Sequence, residues 1–561
     1  MLDWKVIRYA LGLGLILGGV EGLRFSHSSH LELANVELLA AFSVALVMGA
    51  FLGVCSGVFA GIVAKNWPGI SYLSDKEALG VTVSGFALLS WEITPMVLEH
   101  FTHERFLLGV IYILFIALFT ALIWYNSLFW LRKTALKKQP SVGWSVISSV
   151  CSVVLVGCAF AIQKGQSFGH EKALSGDPDV ILISIDGLRA DVINVSSMPF
   201  LTRFADESIV FSQAVATTPI KGFSHSEQLT GMHAAQNGMI HGRLKYSSLA
   251  GRLREEGYAR AAFVSDSSLN ARGEWGELAR DFEVYDASGS GLCRGCSQLP
   301  SFQLFSVFEP KVNENRTASD IKVRLDRFVE KTSEQPVFFW IQLSQLVDAD
   351  DQEAYTVALK KLDSQLEELL SSLEGRNREA VVAIVGSYGM MLGEHDRYGA
   401  AFGLYEQLIH VPLIIKPLIH DGLDSVSFPV RALDVYNTLL RQLKLPHNGK
   451  RQSADLIRAQ KQGFSGSNAL LLGEELLVDE RSWVLGYRGS LKGEATVYKL
   501  SLDPLRQSSM FVIPHEDRRE REDCSEEHKK IYMRMFSTIE QVSLKLPTPL
   551  DLSWVLRYED L

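Results

Sequence analysis

Long apolar runs crowd the first third of the chain. About five of them occur before residue 165, near 6–23, 36–64, 78–98, 106–131 and 142–162. A helix that crosses a bilayer needs roughly 20 mostly apolar residues, and each run supplies about that many. The pattern predicts an N-terminal bundle of about five transmembrane helices.

A different pattern begins near residue 177, where short apolar runs alternate with stretches of helical period. The runs at 180–185, 260–265, 337–343 and 380–385 are typical of buried parallel strands, and 354–373 is typical of an amphipathic helix. This alternation predicts an α/β domain with a mostly parallel central sheet that is covered on both faces. In such domains the chemistry lies at the carboxyl ends of the strands.

These changes of pattern divide the chain into four parts. We expect a transmembrane helical domain at 1–164 and a polar juxtamembrane linker at 165–176. The α/β domain follows at 177–510, and a C-terminal extension at 511–561 is expected to pack on it.

Basic residues predict the orientation of the spans, because cytoplasmic loops are enriched in Lys and Arg. They precede the first run and follow the fourth: Lys5, Arg8, Arg132, Lys133, Lys137 and Lys138. The N-terminus is therefore predicted in the cytoplasm, in a multi-pass protein of the inner (cytoplasmic) membrane. An odd number of spans then makes the large C-terminal domain periplasmic or extracellular.

Composition narrows the function classes. The 561 residues carry a net charge of −9, which argues against nucleic-acid binding. Cys293 and Cys296 lie in a loop rich in Gly and Ser, and this spacing predicts a short-loop disulfide in an oxidising compartment. A redox role for the pair remains open. Zinc is disfavoured because neither a second cysteine pair nor a histidine lies nearby in the sequence.

Several segments resemble, in order, the sulfatase branch of the alkaline-phosphatase superfamily. They are DVILISIDGLRAD (179–191), FSHSEQLTGM (223–232), AIVGSYGMMLGEH (383–395) and LYEQLIHVPLIIKP (404–417), and with weaker matches they cover most of 177–510. The resemblance implies an alkaline-phosphatase-like fold. It also implies the family's chemistry, in which a divalent cation (calcium, magnesium, manganese or zinc) activates a nucleophile.

The sequence departs from the family at the positions that carry this chemistry. Asp186 matches the first acidic metal ligand, but Gly187 stands where a second acid is often found. Lys221 occupies the nucleophile position, and Ser387 and Tyr388 replace the later pair of ligands. The resemblance therefore implies a vestigial metal site, with no cofactor predicted.

The mid-chain histidines of the family are also replaced. Gln342 and Gln345 stand at two of these positions, and a glutamine cannot transfer a proton near neutral pH. A buried carboxylate that has lost its cation needs a new partner. We expect the Lys221 ammonium to pair with Asp186.

The favoured hypothesis is a membrane-anchored, extracytoplasmic pseudo-hydrolase that binds, senses or scaffolds in the cell envelope. Its architecture is similar to that of an inner-membrane lipopolysaccharide-sensing pseudo-hydrolase, and to the lipoteichoic-acid synthases and phosphoethanolamine transferases, which are active. By this resemblance the expected partners are membrane lipids or an envelope glycolipid, with a membrane protein partner as a further option.

The alternative hypothesis is an active metal-dependent sulfatase, or a transferase of phosphoethanolamine or phosphoglycerol type, acting on an envelope substrate. It requires a site built from other residues, with a divalent cation as cofactor. The candidates are His225, Asp266, Glu394 and His395. A third option is a structural subunit of an envelope complex that binds no ligand.

Overall fold

The computed structural model describes residues 176–543 with gaps, and before them only Leu11 and Leu15. The gaps are 272–273, 288–315, 333–334, 377, 401–402, 419–424, 447–450, 462–468, 478–479, 491–496, 504–506 and 514–528. The described residues from 176 onward all lie in one of the two compact units of the chain, Phe168–Ala287 with Glu314–Leu561.

Several sequence predictions fall outside these residues and stay predictions. They concern the helical bundle at 1–164 with its orientation, most of the linker at 165–176, and the Cys293–Cys296 disulfide. The C-terminal extension is described only at 511–513 and 529–543. Within the described part of the chain, no helix combines the length and the apolar character needed to span a bilayer.

Sixteen strands are described. In chain order they are β1 Asp179–Asp186, β2 Ile209–Phe211, β3 Ala214–Val215, β4 Ala259–Val264, β5 Val284–Asp286, β6 Val337–Leu343, β7 Ala380–Tyr388, β8 Met391–Leu392, β9 Tyr398–Gly399, β10 Leu413–Lys416, β11 Ser425–Val426, β12 Val430–Arg431, β13 Ala469–Leu477, β14 Glu480–Ser490, β15 Val497–Asp503 and β16 Gln507–Ile513.

The described α-helices connect and cover these strands. In chain order they are α1 Pro199–Asp206, α2 Lys221–Thr230, α3 Ala234–Asn237, α4 Leu249–Arg254, α5 Ala318–Lys331, α6 Gln352–Glu374, α7 Glu406–Ile409, α8 Val435–Gln442, α9 Leu456–Lys461 and α10 Lys529–Ser543.

A single large sheet organises the domain, with eight strands in the order β11-β2-β10-β7-β1-β6-β4-β5. The five strands from β7 to β5 are parallel, whereas β10 runs antiparallel to its neighbours β7 and β2. The predicted α/β domain with a mostly parallel central sheet is therefore confirmed. The sequence pattern predicted that this strand ends at residue 385, but β7 continues through Tyr388.

The central strand β1 is buried along its whole length, because both faces of the sheet are covered. Neighbouring side chains on a strand point to opposite faces. Val180 and Leu182 accordingly join the core that also holds residues of α8. Ile181, Ile183 and Ile185 join the opposite core, with residues of α5 and α6. This double burial fixes the position of β1, and hence of the residue at its carboxyl end.

A smaller antiparallel sheet, β13-β14-β15-β16, follows the main one. Buried charges attach it to α7. Arg488 on β14 donates from Nε to Glu406 Oε1 at 3.1 Å, and its Nη2 lies 3.4 Å from Oε2. Lys499 on β15 donates to the carbonyl oxygen of Leu404 at 2.7 Å and lies 3.9 Å from Glu406. All three charged side chains are almost completely buried, so each depends on the others for compensation.

We predict that Arg488→Met lowers the free energy of unfolding by about 3 to 5 kcal/mol, because the Glu406 carboxylate stays buried without its two-pronged partner. Urea unfolding measures the loss. The matched control is Lys416→Met, which breaks the exposed Lys416–Glu207 pair and is expected to leave stability nearly unchanged. Equal losses in the two variants would contradict the prediction.

The same pair predicts a pH dependence. Burial alone would raise the pKa of Glu406, but the charges of Arg488 and Lys499 outweigh it and hold the pKa below the ordinary 4.5. A lowered folded-state pKa stabilises the fold above the unfolded-state value and loses that contribution as the pH falls through the folded-state pKa. We therefore expect the stability difference between the wild type and Arg488→Met to narrow below about pH 4.5.

Candidate functional site

The candidate site lies at the carboxyl ends of β1, β6 and β7. Asp186 is the last residue of β1 and is fully buried. The parallel pairing of β1 with β7 shifts here: Ile185 pairs with Gly386, and Asp186 pairs with Tyr388. Ser387 is thus an extra residue in β7, and a bulge of this kind redirects the side chains around it. The shift brings Tyr388 opposite Asp186.

Helix α2 covers this edge of the sheet. Its residues Ser224, His225 and Gln228 are spaced so that they share one face of the helix. The Ser224 hydroxyl donates to the carbonyl oxygen of Ser387 at 2.6 Å, and the Ser184 hydroxyl of β1 donates to Gln228 Oε1 at 2.6 Å. Every residue of the helix except Lys221 is buried. These contacts hold α2 against β1 and β7.

A glycine lets an aromatic side chain close over the start of α2. A Cβ atom on Gly222 would lie 2.0 Å from the ring of Trp275, so only glycine fits at this position. The Trp275 ring also meets Phe223 edge-on, with centroids 5.3 Å apart. The beginning of the helix therefore lies under an indole ring.

Protein groups surround the Asp186 carboxylate. Gln342 Nε2 donates to Asp186 Oδ2 at 2.9 Å, and the Tyr388 hydroxyl donates to the same oxygen at 3.1 Å. The orientation of the Gln342 amide is determined by its other end, because Oε1 accepts the backbone N–H groups of Ser265 and Asp266 at 3.0 and 3.1 Å. The amide nitrogen must therefore face Asp186.

The other carboxylate oxygen faces a histidine. Nε2 of His225 lies 3.2 Å from Asp186 Oδ1, but the two atoms are not aligned for a hydrogen bond. Among the described residues, neither ring nitrogen of His225 has a hydrogen-bond partner, and the same holds for Asp186 Oδ1 and the Ser387 hydroxyl. The His225 ring packs edge-on against Trp340, with centroids 5.5 Å apart. These side chains form a buried polar group with unused hydrogen-bonding capacity.

Lys221 does not pair with Asp186, so that expectation was wrong. Its ammonium instead donates to the carboxylate of Asp266, which follows β4. Asp186 is instead contacted by Gln342 and Tyr388, and the Gln342 side chain bridges Asp186 and the Asp266 backbone. Burial would raise the pKa of Asp266, but the charge and hydrogen bond of Lys221, helped by Ser268, lower it below the ordinary 3.8.

Each of the four alternative-site candidates has a different partner in the structure. His225 meets Asp186, and Asp266 is bound to Lys221. Glu394 forms an ion pair with Arg189 at 2.5 Å, and the His395 ring stacks on Tyr405 with centroids 4.4 Å apart. Within the described residues, no group of three or more His, Cys, Asp or Glu side chains is arranged to hold a metal ion.

Two contributors to the site escaped the sequence reasoning. Gln342 was recognised only as a replaced histidine, although its amide can donate to a carboxylate. Arg189 was not singled out at all, although its spacing before Asp191 was a signal for a local ion pair. Its second partner, Glu394, is 205 positions away in the chain and could not be inferred from spacing.

Comparison with known proteins identifies the fold. The structure of a phosphonate monoester hydrolase from Silicibacter pomeroyi matches with a TM-score of 0.51 and 14% identity, over 66% of this chain and 96% of that one. A Bacteroides thetaiotaomicron protein designated 4S-sulf, linked to glycosaminoglycan metabolism, matches with a TM-score of 0.52 and 13% identity, over 68% of this chain and 99% of that one. Identities this low establish the fold alone.

Sequence comparison adds little. No family model matches the chain. An uncharacterized protein of Haemophilus influenzae is 22% identical over 238 residues, which are 42% of this chain. The match spans only 36% of that protein, so it carries no conclusion about the activity of the whole chain.

The residues at this edge do not fit the divalent cation that the resemblance implies. Asp186 Oδ2 already accepts from Gln342 and Tyr388. Burial, followed by the charge of Asp186, raises the pKa of Tyr388 well above 10, so its oxygen stays protonated. The remaining groups supply one carboxylate oxygen of Asp186, an imidazole and a serine hydroxyl, whereas calcium sites are built mainly from several carboxylate and carbonyl oxygens. The same groups also fall short of a usual zinc set.

We predict that Lys221→Met destabilises the domain by about 1 to 3 kcal/mol, because it leaves the buried Asp266 carboxylate without its charged donor. A group with a lowered pKa stabilises the fold above its unfolded-state value, so the loss should be full at pH 7 and shrink as the pH falls below 3.8. Urea unfolding across this pH range measures the effect. Lys221→Arg keeps the charge and serves as the control; a loss as large as that of Lys221→Met would contradict the ion-pair explanation.

Proposed function

On a domain with the alkaline-phosphatase-like fold, we propose that this chain is a sulfatase-like pseudo-hydrolase that acts as a binding, sensing or scaffold module in the cell envelope. One observation carries the proposal. Lys221, the first residue of α2, stands where the resemblance places the nucleophile, and its ammonium is engaged by Asp266.

The chemistry of this edge supports an inactive domain. A protonated lysine cannot attack a sulfate or phosphate ester, because its lone pair carries the proton. The Lys221 ammonium is already engaged as a hydrogen-bond donor to the Asp266 carboxylate. Gln342 holds one of the family's histidine positions by the resemblance, and its amide contacts Asp186 and two backbone N–H groups. Nucleophile and proton-transfer groups are both replaced.

The envelope setting rests on the sequence pattern. About five apolar runs precede the α/β domain, and the basic residues around them favour a cytoplasmic N-terminus. A domain outside the cytoplasm and next to a membrane has lipids within reach. The proposed partners are therefore membrane lipids or an envelope glycolipid, and a membrane protein is a further candidate.

An active metal-dependent hydrolase or transferase is the second candidate. The observation that favours it is the buried polar group at the end of β1, where Asp186 Oδ1 and His225 Nε2 lie 3.2 Å apart without a hydrogen bond. Two ligands of one metal ion are commonly separated by a distance of this order. The donors aimed at Oδ2 count against this candidate, since a cation would have to displace them.

Metal content and turnover distinguish the two candidates. We predict that the purified full-length chain contains no stoichiometric divalent metal by mass spectrometry and does not turn over aryl sulfates or aryl phosphates when calcium, magnesium, manganese or zinc is added. Stoichiometric metal, together with turnover that Asp186→Asn abolishes, would overturn the proposal.

A gain-of-site variant provides the matched control. Lys221→Thr combined with Ser387→Asp and Tyr388→His places a hydroxyl nucleophile and two good ligands at the replaced positions. We expect this variant to bind a divalent cation that the wild type does not bind. Mass spectrometry of co-purified lipids tests the partner: enrichment of one lipid class supports a binding module, and no enrichment with a stable protein partner supports the purely structural subunit.

A further inference from the structure

Arg189 lies three positions after Asp186, in the turn that follows β1. Its guanidinium donates two parallel hydrogen bonds to Asp191 of the same turn, from Nε to Oδ1 at 3.0 Å and from Nη2 to Oδ2 at 2.8 Å. A planar fork of this kind fits a carboxylate in one orientation. The guanidinium therefore stabilises the turn that follows β1.

The same guanidinium also bonds to the turn that follows β7. Its Nη1 donates to Glu394 Oε1 at 2.5 Å and to the carbonyl oxygen of Met390 at 3.2 Å. The Arg189 side chain is only 9% exposed, whereas its partners Asp191 and Glu394 are 31% and 29% exposed, so the guanidinium is buried but the ion pairs are partly open to water. One buried positive charge thus joins the two turns that the family resemblance assigns to a metal site.

Close packing keeps the arginine in this position. A Cβ atom on Gly389 would lie 3.2 Å from Cγ of Arg189 and 1.9 Å from the carbonyl oxygen of Gln407. Only glycine therefore allows the second turn to lie against both. The arginine stem fills the space beside Gly389 while its head bonds to both turns.

The ion pair stands at the start of a strained backbone segment. His395 and Asp396, which directly follow Glu394, have φ angles of 54° and 58°. These are left-handed values that residues with a Cβ atom rarely adopt, and they persist where surrounding contacts hold them. Glu394 supplies such contacts, because its Oε1 binds Arg189 and its Oε2 accepts the backbone N–H of Leu392 at 2.6 Å.

The charges on both sides are stable at neutral pH. Burial alone would raise the pKa of Glu394, but the Leu392 N–H and Arg189 outweigh it and lower the pKa below the ordinary 4.5. Burial would lower the pKa of Arg189, but Asp191 and then Glu394 raise it instead. The contact is therefore a permanent one between fixed charges.

We propose that Arg189 is a built-in cation that clamps the two turns together, so that the edge of the sheet and the β8–β9 hairpin keep their conformation without a divalent metal. This inference deepens the proposed function and rests on its metal-free site. The cross-link is a guanidinium held by Asp191 on one side and by Glu394 on the other.

Hydrogen–deuterium exchange of the full-length chain tests the clamp. Glu394→Met removes the ionic link to the second turn but leaves the Arg189–Asp191 pair and the bond to the Met390 carbonyl in place; Arg189→Met removes all three. We expect the amides of 389–399 to exchange roughly tenfold faster or more in both variants, the effect expected from losing a charged hydrogen bond. The wild-type rates should not change with a chelator or with added magnesium, calcium, manganese or zinc.

Arg203→Met is the matched control, because it breaks an exposed arginine–glutamate pair with Glu367 at 2.7 Å and should leave 389–399 unchanged. Wild-type rates at 389–399 in Glu394→Met would overturn the proposal, and so would faster exchange of the wild type in a chelator. If Arg189→Met does not fold, the exchange rates of 389–399 in Glu394→Met still test the proposal. Turnover with bound metal but chelator-insensitive exchange would refute the proposed function and leave the clamp standing.

Discussion

A fully buried carboxylate, Asp186, lies at the end of the central strand and needs polar groups around it. Moving a charge out of water is costly unless protein groups replace its hydration. Asp186 obtains this from the Gln342 amide and the Tyr388 hydroxyl on one oxygen, with His225 beside the other. Each neighbour belongs to a different element: Gln342 to β6, Tyr388 to β7 and His225 to α2. The contacts of one carboxylate on β1 therefore connect four elements.

The same need for compensation explains the rest of this edge. Two of the chain's own cations are paired here: Lys221 with Asp266, and Arg189 with Asp191 and Glu394. Each is matched to carboxylates within hydrogen-bonding distance. An edge that neutralises itself in this way has few ligands left for an external divalent cation. The structure and the proposed loss of hydrolysis therefore have a common physical basis.

The fold was largely predictable, because it depends on periodicity that a single chain displays. Alternating apolar runs and helical periods predicted a mostly parallel sheet, and the strands at 180–185 and 337–343 and the helix at 354–373 were found close to the predicted bounds. The extension of β7 to Tyr388 was missed, because Gly386 and Ser387 do not look like strand residues. The bulge at Ser387 depends on pairing with β1, which local sequence does not encode.

The amino-acid sequence by itself determined which chemical groups stand at the carboxyl ends of the strands. It supplied Asp186, Lys221, Ser387 and Tyr388, which the family resemblance places at the nucleophile and metal-ligand positions. Only the tertiary structure decided which groups pair. Gln342 and Tyr388 donate to Asp186 from 156 and 202 positions away, because parallel strands and a bulge bring these residues together. Lys221 pairs with Asp266, which is 45 positions away. Residue types are a property of the chain, whereas distances between charges exist only once it has folded.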